Sequence, residues 1–352
     1  MSNAAIIAWT LLLPLLGAVG IAIFHQRPNM REAVTMSAAV ILFLLVSSLY
    51  PEVAAGRRPG VVLFTVLPGL DLALSVEPLG MLFGLVASFL WIVTSVYSIG
   101  YMRGNAESNQ TRFYVCFAIA LASTMGVAFA ANMFTMFIFY ELLTLSTYPL
   151  VTHSGTDEAR RAGRVYLGVL LGTSIGLQLF AVIWTWSLTG TLNFTEGGIL
   201  RDTASPGLTA VLFAMYVFGI GKAALMPFHR WLPAAMVAPT PVSALLHAVA
   251  VVKAGVFAIL KISVYVFGID YLREIGAGTW LVYVAGVTVI IASLVALSKD
   301  NLKARLAYST VSQLSYVVIA AAVLAPLSVM GAAIHIAAHA FGKITLFFAA
   351  GS

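Results

Sequence analysis

Ionisable residues inside hydrophobic segments are the feature of this sequence that suggests chemistry. The stretch Gly219–Ile262 is largely apolar, yet it contains Lys222, Lys253, Lys261 and His247. An ammonium group at the centre of a bilayer costs several kcal/mol (roughly 3 on insertion scales), so lysines at such positions usually mark an ion or proton route. We therefore expect this stretch to carry ion or proton transport.

Glu141 is the acidic residue that lies deep in a hydrophobic segment, about nine residues from the start of its predicted helix. A carboxyl group there takes up a proton or finds a cationic partner. Lys222 is a candidate partner, and movement between the two groups would change how tightly Lys222 holds its proton. The alternative is a neutral glutamic acid whose hydrogen bonds hold two helices together.

Lys222 lies in a segment that is predicted to break. Gly219 and Gly221 permit non-helical backbone angles, and Pro227 removes a backbone donor and clashes with the carbonyl of Ala223. Carbonyls freed in this way usually line a wet cavity. The alternative is a lysine that snorkels to the interface, although a position some 15 residues into the span leaves no interface close by.

A second polar group follows in the next span. Ser243 and His247 are four residues apart and share a helix face, and Lys253 lies about 9 Å further along the axis. Water would have to bridge these groups for a proton to pass. Lys261 lies nearer the end of the span and could equally well snorkel.

The final span carries His335, His339 and Lys343 at intervals of four residues, which predicts one stripe along a helix. The two histidines could hold a metal, or one of them a haem. Because no third ligand is visible nearby, a polar stripe joined by water is the preferred interpretation.

Composition predicts the fold class. With 61% hydrophobic and 9% charged residues, the chain is expected to be an all-α polytopic membrane protein. Val61–Val76, with Pro68 and Gly69 in its middle, predicts a surface hairpin. About eleven spans are predicted at residues 4–24, 33–50, 78–101, 112–130, 132–152, 162–189, 207–228, 241–267, 278–297, 304–324 and 328–350.

The basic residues of the loops indicate the orientation of the chain in the membrane. Eleven lysines and arginines lie in the loops that follow odd-numbered spans, against four in the loops after even-numbered ones. The N-terminus is therefore expected outside, on the periplasmic face of a bacterial inner membrane.

Cys116 is the single cysteine and no glycine-rich nucleotide loop follows a strand. No nucleotide, flavin, iron–sulfur or metal site is therefore expected in this chain.

Several of these segments resemble one family. KAALMPFHRWLPAAMVAPTPVSALLHAVAVVKAGVF, FYELLTLSTYPLV, LSKDNLKARLAYSTVSQLSYVV and HIAAHAFGKITLF are similar to the antiporter-like subunits of respiratory complex I (NADH:quinone oxidoreductase), membrane-bound hydrogenases and Mrp-type Na⁺/H⁺ antiporters, of the A or D type. The resemblance implies a mid-membrane proton path through Glu141 paired with Lys222, then Lys253 and His247, then His335, His339 and Lys343.

The resemblance also implies inverted five-helix repeats, each with a discontinuous helix, here near 221–227. Residues 1–111 would form three N-terminal helices with the hairpin, 112–267 the first repeat and 278–352 the start of the second. Because the sequence stops at Ser352, before a second broken helix, we expect either a fragment or completion by another polypeptide.

The favoured function is a proton-translocating component of a multisubunit complex, with other membrane subunits as partners and no redox or hydrolytic chemistry of its own. Three alternatives remain. A stand-alone transporter for an ion or solute would work as a purified single chain. A cytochrome-like haem carrier would show a Soret band. A structural anchor would not need lysines inside its spans.

Overall fold

The computed structural model describes residues 1–351, and most of them are helical. The N-terminal part consists of long helices with one hairpin between the third helix and the fourth. Its elements are α1 (Asn3–Ile23), α2 (Pro28–Ser48), α3 (Tyr50–Ala54), β1 (Gly60–Leu67), β2 (Leu70–Ser75), α4 (Pro78–Gly104), α5 (Gln110–Ala128) and α6 (Met133–Val151).

The remainder contains helices that are interrupted by short π-helical or 3₁₀ segments. Its helices are α7 (Asp157–Thr173), α8 (Phe180–Thr189), α9 (Pro206–Gly219), α10 (Trp231–Ala234), α11 (Thr240–Ala244), α12 (Val251–Ile262), α13 (Ile269–Glu274), α14 (Thr279–Leu297), α15 (Leu302–Ala322) and α16 (Pro326–Gly351).

The number of helices that are long enough to span a membrane confirms the predicted class, an all-α polytopic membrane protein. In the described part of the chain, nine helical segments are long and apolar enough to cross a bilayer, and α9 is a shorter apolar helix. The 21-residue α15 packs against α14 and α16 and corresponds to the predicted span 304–324. The total of eleven spans, the inverted repeats and the three proposed domains stay predictions.

The predicted hairpin is confirmed. Strands β1 and β2 pair antiparallel, with Gly60 opposite Ser75 and Leu67 opposite Leu70. Gly69 occupies the turn with φ of +82°, a left-handed conformation that favours glycine. Most residues of β1 are exposed, whereas β2 is largely covered by the helices.

The segment Thr240–Phe267 forms the centre of the molecule, and all of its residues except Val264 are buried by protein. It is built from α11, a π-helical turn at Leu245–Val249, α12 and a second π-helical turn at Ser263–Phe267. Helices α5, α15 and α16 pack around α12. Nearly all side chains on this segment therefore face other parts of the protein.

Candidate functional site

The predicted helix break is present and determines where Lys222 lies. Helix α9 ends at Gly219, a 3₁₀ turn covers Gly221–Ala223, and Ala224 is left-handed with φ of +54°. Pro227 follows the turn, in a segment without regular helix. The chain therefore leaves helical geometry next to Lys222.

Side chains from other helices satisfy backbone groups that the break exposes. Trp231 Nε1 donates to the carbonyl of Gly221 at 3.0 Å, and the backbone N–H of Lys222 donates to Tyr140 Oη at 3.1 Å. Such partners are needed because bilayer hydrocarbon offers none. The break is therefore stabilised by side chains of neighbouring helices.

Lys222 is completely buried, which excludes the snorkelling alternative. Its ammonium group donates to the carbonyl of Tyr140 at 2.8 Å and to Thr144 Oγ1 at 2.6 Å. It also lies 3.1 Å from the centre of the Tyr140 ring, within the range of a cation–π interaction. The charge is held mainly by neutral groups of α6.

Glu141 lies between the two α6 residues that bind Lys222, but it makes no ion pair with that lysine. Both carboxyl oxygens are buried and have no hydrogen-bond partner within residues 1–351. Glu141 is nevertheless close enough to interact electrostatically with the Lys222 ammonium. The structure thus brings the two residues near each other without the direct contact that the family resemblance implies.

His247 lies in the π-helical turn between α11 and α12 and is fully buried. Its ring centre is 4.8 Å from that of Phe347 on α16. Neither ring nitrogen, nor the hydroxyl of Ser243, has a hydrogen-bond partner in the described chain. The imidazole of His247 is therefore positioned by packing and not by hydrogen bonds within residues 1–351.

Lys253 and His339 are joined directly. The Lys253 ammonium is hydrogen-bonded to His339 Nδ1 across the α12–α16 interface. The ring of His335 stacks on that of His339 with centres 6.0 Å apart and planes 13° apart. Lys253 is fully buried and His339 is 9% exposed, so this contact is enclosed within the protein.

Lys343 continues the same stripe on α16. Its ammonium group donates to the carbonyl of Leu306 at 3.1 Å and to the hydroxyl of Ser309 on α15. The π-helical turn that carries His247 and the helix α12 that carries Lys253 both pack against α16. The predicted histidines and lysines of the last two spans thus form one cluster.

Lys222 and this cluster come close where α12 touches the broken segment. A Cβ atom added at Gly255 would collide with the backbone of Lys222 and Ala223. Lys253 is two residues from this contact. No direct hydrogen bond joins Lys222 to Lys253 or His247 in the described residues.

Sequence reasoning missed several partners. It did not identify Thr144, Tyr140 or Ser309, although a hydroxyl three residues after Glu141 on the same helix was a usable signal.

The snorkelling interpretation of Lys261 is wrong, because this side chain is fully buried and makes an ion pair with Glu77.

Comparison with known proteins shows the family of this chain. Residues 130–352 match the family described as NADH:quinone oxidoreductase/Mrp antiporter, transmembrane. The chain belongs to this family. A protein of Rhizobium meliloti named as a component of a probable K⁺/H⁺ antiporter is 31% identical over 97% of this chain and 34% of its own length.

Other members of the NADH:quinone oxidoreductase/Mrp antiporter family are similarly related. A putative antiporter component of Staphylococcus aureus is 31% identical over 80% of this chain and 36% of its own. A chloroplastic NAD(P)H-quinone oxidoreductase subunit 5 of Adiantum capillus-veneris is 30% identical over 80% of this chain and 38% of its own. This chain therefore spans little more than a third of these relatives.

Two solved structures share the fold. A chain of the archaeal membrane-bound sulfane sulfur reductase superposes with a TM-score of 0.86 at 25% identity, covering 99% of this chain and 70% of that one. A chain of the Mrp complex from Dietzia superposes with a TM-score of 0.86 at 23% identity, covering 100% of this chain and 65% of that one. The second likeness concerns the fold alone.

Proposed function

We propose that this chain is a proton-translocating component of a multisubunit membrane complex. Protons move near mid-membrane along Glu141, Lys222, His247, Lys253, His335, His339 and Lys343. The observation that carries this proposal is the Lys253–His339 hydrogen bond, with Lys343 on the same buried stripe. A proton shared between an amine and an imidazole needs little rearrangement to change owner.

Burial of these lysines without full ion pairs supports transport over a purely structural role. Lys222 and Lys343 are each bound by one backbone carbonyl and one hydroxyl. Burying a charge without a close counter-charge is costly, so such groups are kept where protonation changes are useful. An anchoring role would be served better by apolar side chains.

Glu141 acts as the switch at the start of the path. Its carboxyl oxygens have no partner among the residues described, and the Lys222 ammonium is within electrostatic range. Rotation of the carboxylate toward Lys222 would form the ion pair, and rotation away would break it. Each change alters the proton affinity of Lys222 and so drives one transfer step.

The complex is assigned to the bacterial inner membrane, with the N-terminus on the periplasmic side. The excess of lysine and arginine in the loops after odd-numbered spans supports this orientation. Other membrane subunits are the partners; this is supported by the solved structure at 25% identity, which is a chain of an archaeal respiratory membrane complex. Redox cofactors, where the complex uses them, belong to those partners.

The test uses the assembled complex in inverted membrane vesicles. Lys222→Ala and Glu141→Ala are expected to abolish proton movement, followed with a pH-sensitive dye, while the complex still assembles by native gel. Lys299→Ala and Glu158→Ala, changed outside the proposed path, are the matched controls. Normal proton movement in both Lys222→Ala and Glu141→Ala would end the proposal.

A further inference from the structure

A second buried charged cluster lies at the other end of α12, next to the hairpin. Lys261 is in the last turn of α12, is fully buried, and makes an ion pair of 3.1 Å with Glu77 Oε1. The Glu77 carboxylate also accepts hydrogen bonds from the backbone N–H groups of Leu79 (2.7 Å) and Gly80 (3.0 Å) and from Tyr265 Oη (3.2 Å). It is therefore fixed at the N-terminus of α4.

The Lys261 ammonium is surrounded by oxygen atoms. Besides Glu77, it donates to the carbonyls of Ala128 at 3.3 Å and Ala130 at 2.9 Å. These carbonyls are at and just beyond the C-terminus of α5, where the helix dipole favours cations. In transporters, carbonyls at helix C-termini and unwound backbone can coordinate alkali cations. A carboxylate and two carbonyls form such an oxygen cage, which Lys261 now fills.

The cage is reached from a cavity of about 220 Å³. Glu77 and Lys261 both line this cavity, so a hydrated ion entering it would meet the carboxylate directly. The remaining lining residues are Arg58, Ser75, Ala130, Ala131, Asn193, Phe194 and Tyr265. All of them belong to the side of the molecule that carries the hairpin and few basic loops.

Arg58 is the other cation at this cavity, but it is engaged elsewhere. It makes an ion pair with Glu196 and lies 5.7 Å from the centre of the Tyr265 ring. Glu196 is largely exposed, so this pair lies at the solvent side of the cavity. The four charges cancel while Lys261 is protonated, and the site gains one negative charge when Lys261 releases its proton.

We propose that the Glu77–Lys261 cluster is a binding site for a monovalent alkali cation, with Lys261 as its displaceable occupant. The ammonium releases one proton and the neutral amine swings away, while one Na⁺ or K⁺ takes its place against Glu77 and the two carbonyls. One positive charge leaves and one arrives, so the charge of the site is unchanged. The cluster thereby exchanges a proton for a cation on the hairpin side.

The alternative is a static ion pair that only holds α12 against α4 and α5. The two roles differ in the effect expected for an arginine at position 261. An arginine would preserve such a tie, because its guanidinium keeps the charge and can bind both the carboxylate and the carbonyls. An arginine cannot release its proton under these conditions. Lys261→Arg therefore separates the two roles.

The first experiment measures binding without transport. The purified complex carrying Lys261→Met is heated in NaCl, KCl or choline chloride at equal concentration. We expect the unfolding midpoint to be at least about 2 °C higher in NaCl or KCl than in choline chloride, because the bound cation replaces the missing ammonium. The wild type should show a smaller difference, because the cation must first displace the Lys261 ammonium, and Glu77→Gln/Lys261→Met should show none. The same midpoint for Lys261→Met in all three chlorides would overturn the proposal.

The second experiment measures exchange in vesicles and covers the case in which Lys261→Met fails to assemble. Lys261→Arg should assemble normally but lose cation-driven proton release, and wild-type exchange by this variant would also overturn the proposal. This arm rests on the proposed transport function, whereas the binding arm does not. Normal transport in Lys222→Ala with cation-dependent stability in Lys261→Met would reject the proton path alone.

Discussion

The ammonium group of Lys222 donates a 2.6 Å hydrogen bond to Thr144 Oγ1 on the neighbouring helix α6. Thr144 is three residues from Glu141, so the hydroxyl and the carboxylate emerge from nearly the same face of that helix. The lysine is thus held by a neutral partner while its potential counter-ion lies one turn away. The contribution of Thr144 can therefore be tested separately from that of the charged residues.

Thr144→Val should slow proton transport roughly tenfold. A hydrogen bond to a charged group contributes about 1.5–3 kcal/mol, so its loss makes the protonated form of Lys222 less favourable. The valine keeps the shape of the side chain but removes the acceptor. Initial rates of dye-monitored proton movement in vesicles provide the measurement. Thr144→Ser retains a hydroxyl and serves as the control. Equal rates for Val and Ser would show that this bond has no part in transport.

His339→Leu should lower proton transport much more than His335→Leu. The first substitution removes the direct partner of Lys253, whereas the second removes a ring that stacks on His339 and lies 6.4 Å from the Tyr316 ring. Both variants should be compared at equal amounts of assembled complex. A larger loss of transport with His335→Leu would contradict the importance of the Lys253–His339 hydrogen bond.

Gly255→Ala should destabilise the protein by about 1–3 kcal/mol, since an added methyl group collides with the backbone of Lys222 and Ala223. The measurement is the unfolding midpoint of the purified complex. Gly286→Ala is the matched control, because a Cβ atom there meets nothing within 4 Å and alanine favours the helix. A higher midpoint for Gly255→Ala would contradict the close approach of α12 to the break.

His153→Gln should reduce the loss of stability on acidification. His153 follows α6 in a loop, with its Nε2 4.0 Å from Glu107 Oε2. Burial, followed by the charge of Arg112, lowers the pKa of His153 below 6.5, while Glu107 and the backbone of Ser108 oppose the shift. The unfolded chain therefore binds more protons just below pH 6.5, so acid favours unfolding there.

Unfolding midpoints measured between pH 8 and 5 test this expectation. The wild type should lose stability as the pH falls below about 6.5, and His153→Gln should lose less of it. His25→Gln, at an exposed position, is the control. Identical pH profiles for the wild type and His153→Gln would contradict the assignment.

The sequence predicted most of the architecture because its signals are local. Apolar runs located the long helices, Pro68 and Gly69 located the hairpin turn, and Gly219 and Gly221 located the helix break. Each of these follows from backbone chemistry within a few residues. The lysines and histidines were recognisable for a similar reason, since their desolvation cost is high wherever the helices pack.

The partners of those residues depend on packing between distant segments and could not be read from local patterns. Lys222 meets Tyr140 and Thr144 across about 80 residues of sequence, and Lys261 meets Glu77 across more than 180. Glu77 escaped attention because it precedes a helix and resembles an ordinary N-cap. The π-helical turns that flank α12 likewise leave no distinct signal in the sequence.

The near-complete enclosure of Thr240–Phe267, in which only Val264 is partly exposed, limits how this segment can move. A segment with protein on almost every side has little room to slide along its axis, since any slide would push its neighbours apart. Any rearrangement is therefore expected in side-chain torsions and in the two π-helical turns. The i→i+5 hydrogen bonds of a π-helix are a local departure from the regular α-helix and often occur at functional sites. His247 lies in one of these turns, so the most deformable backbone of the core also carries an imidazole.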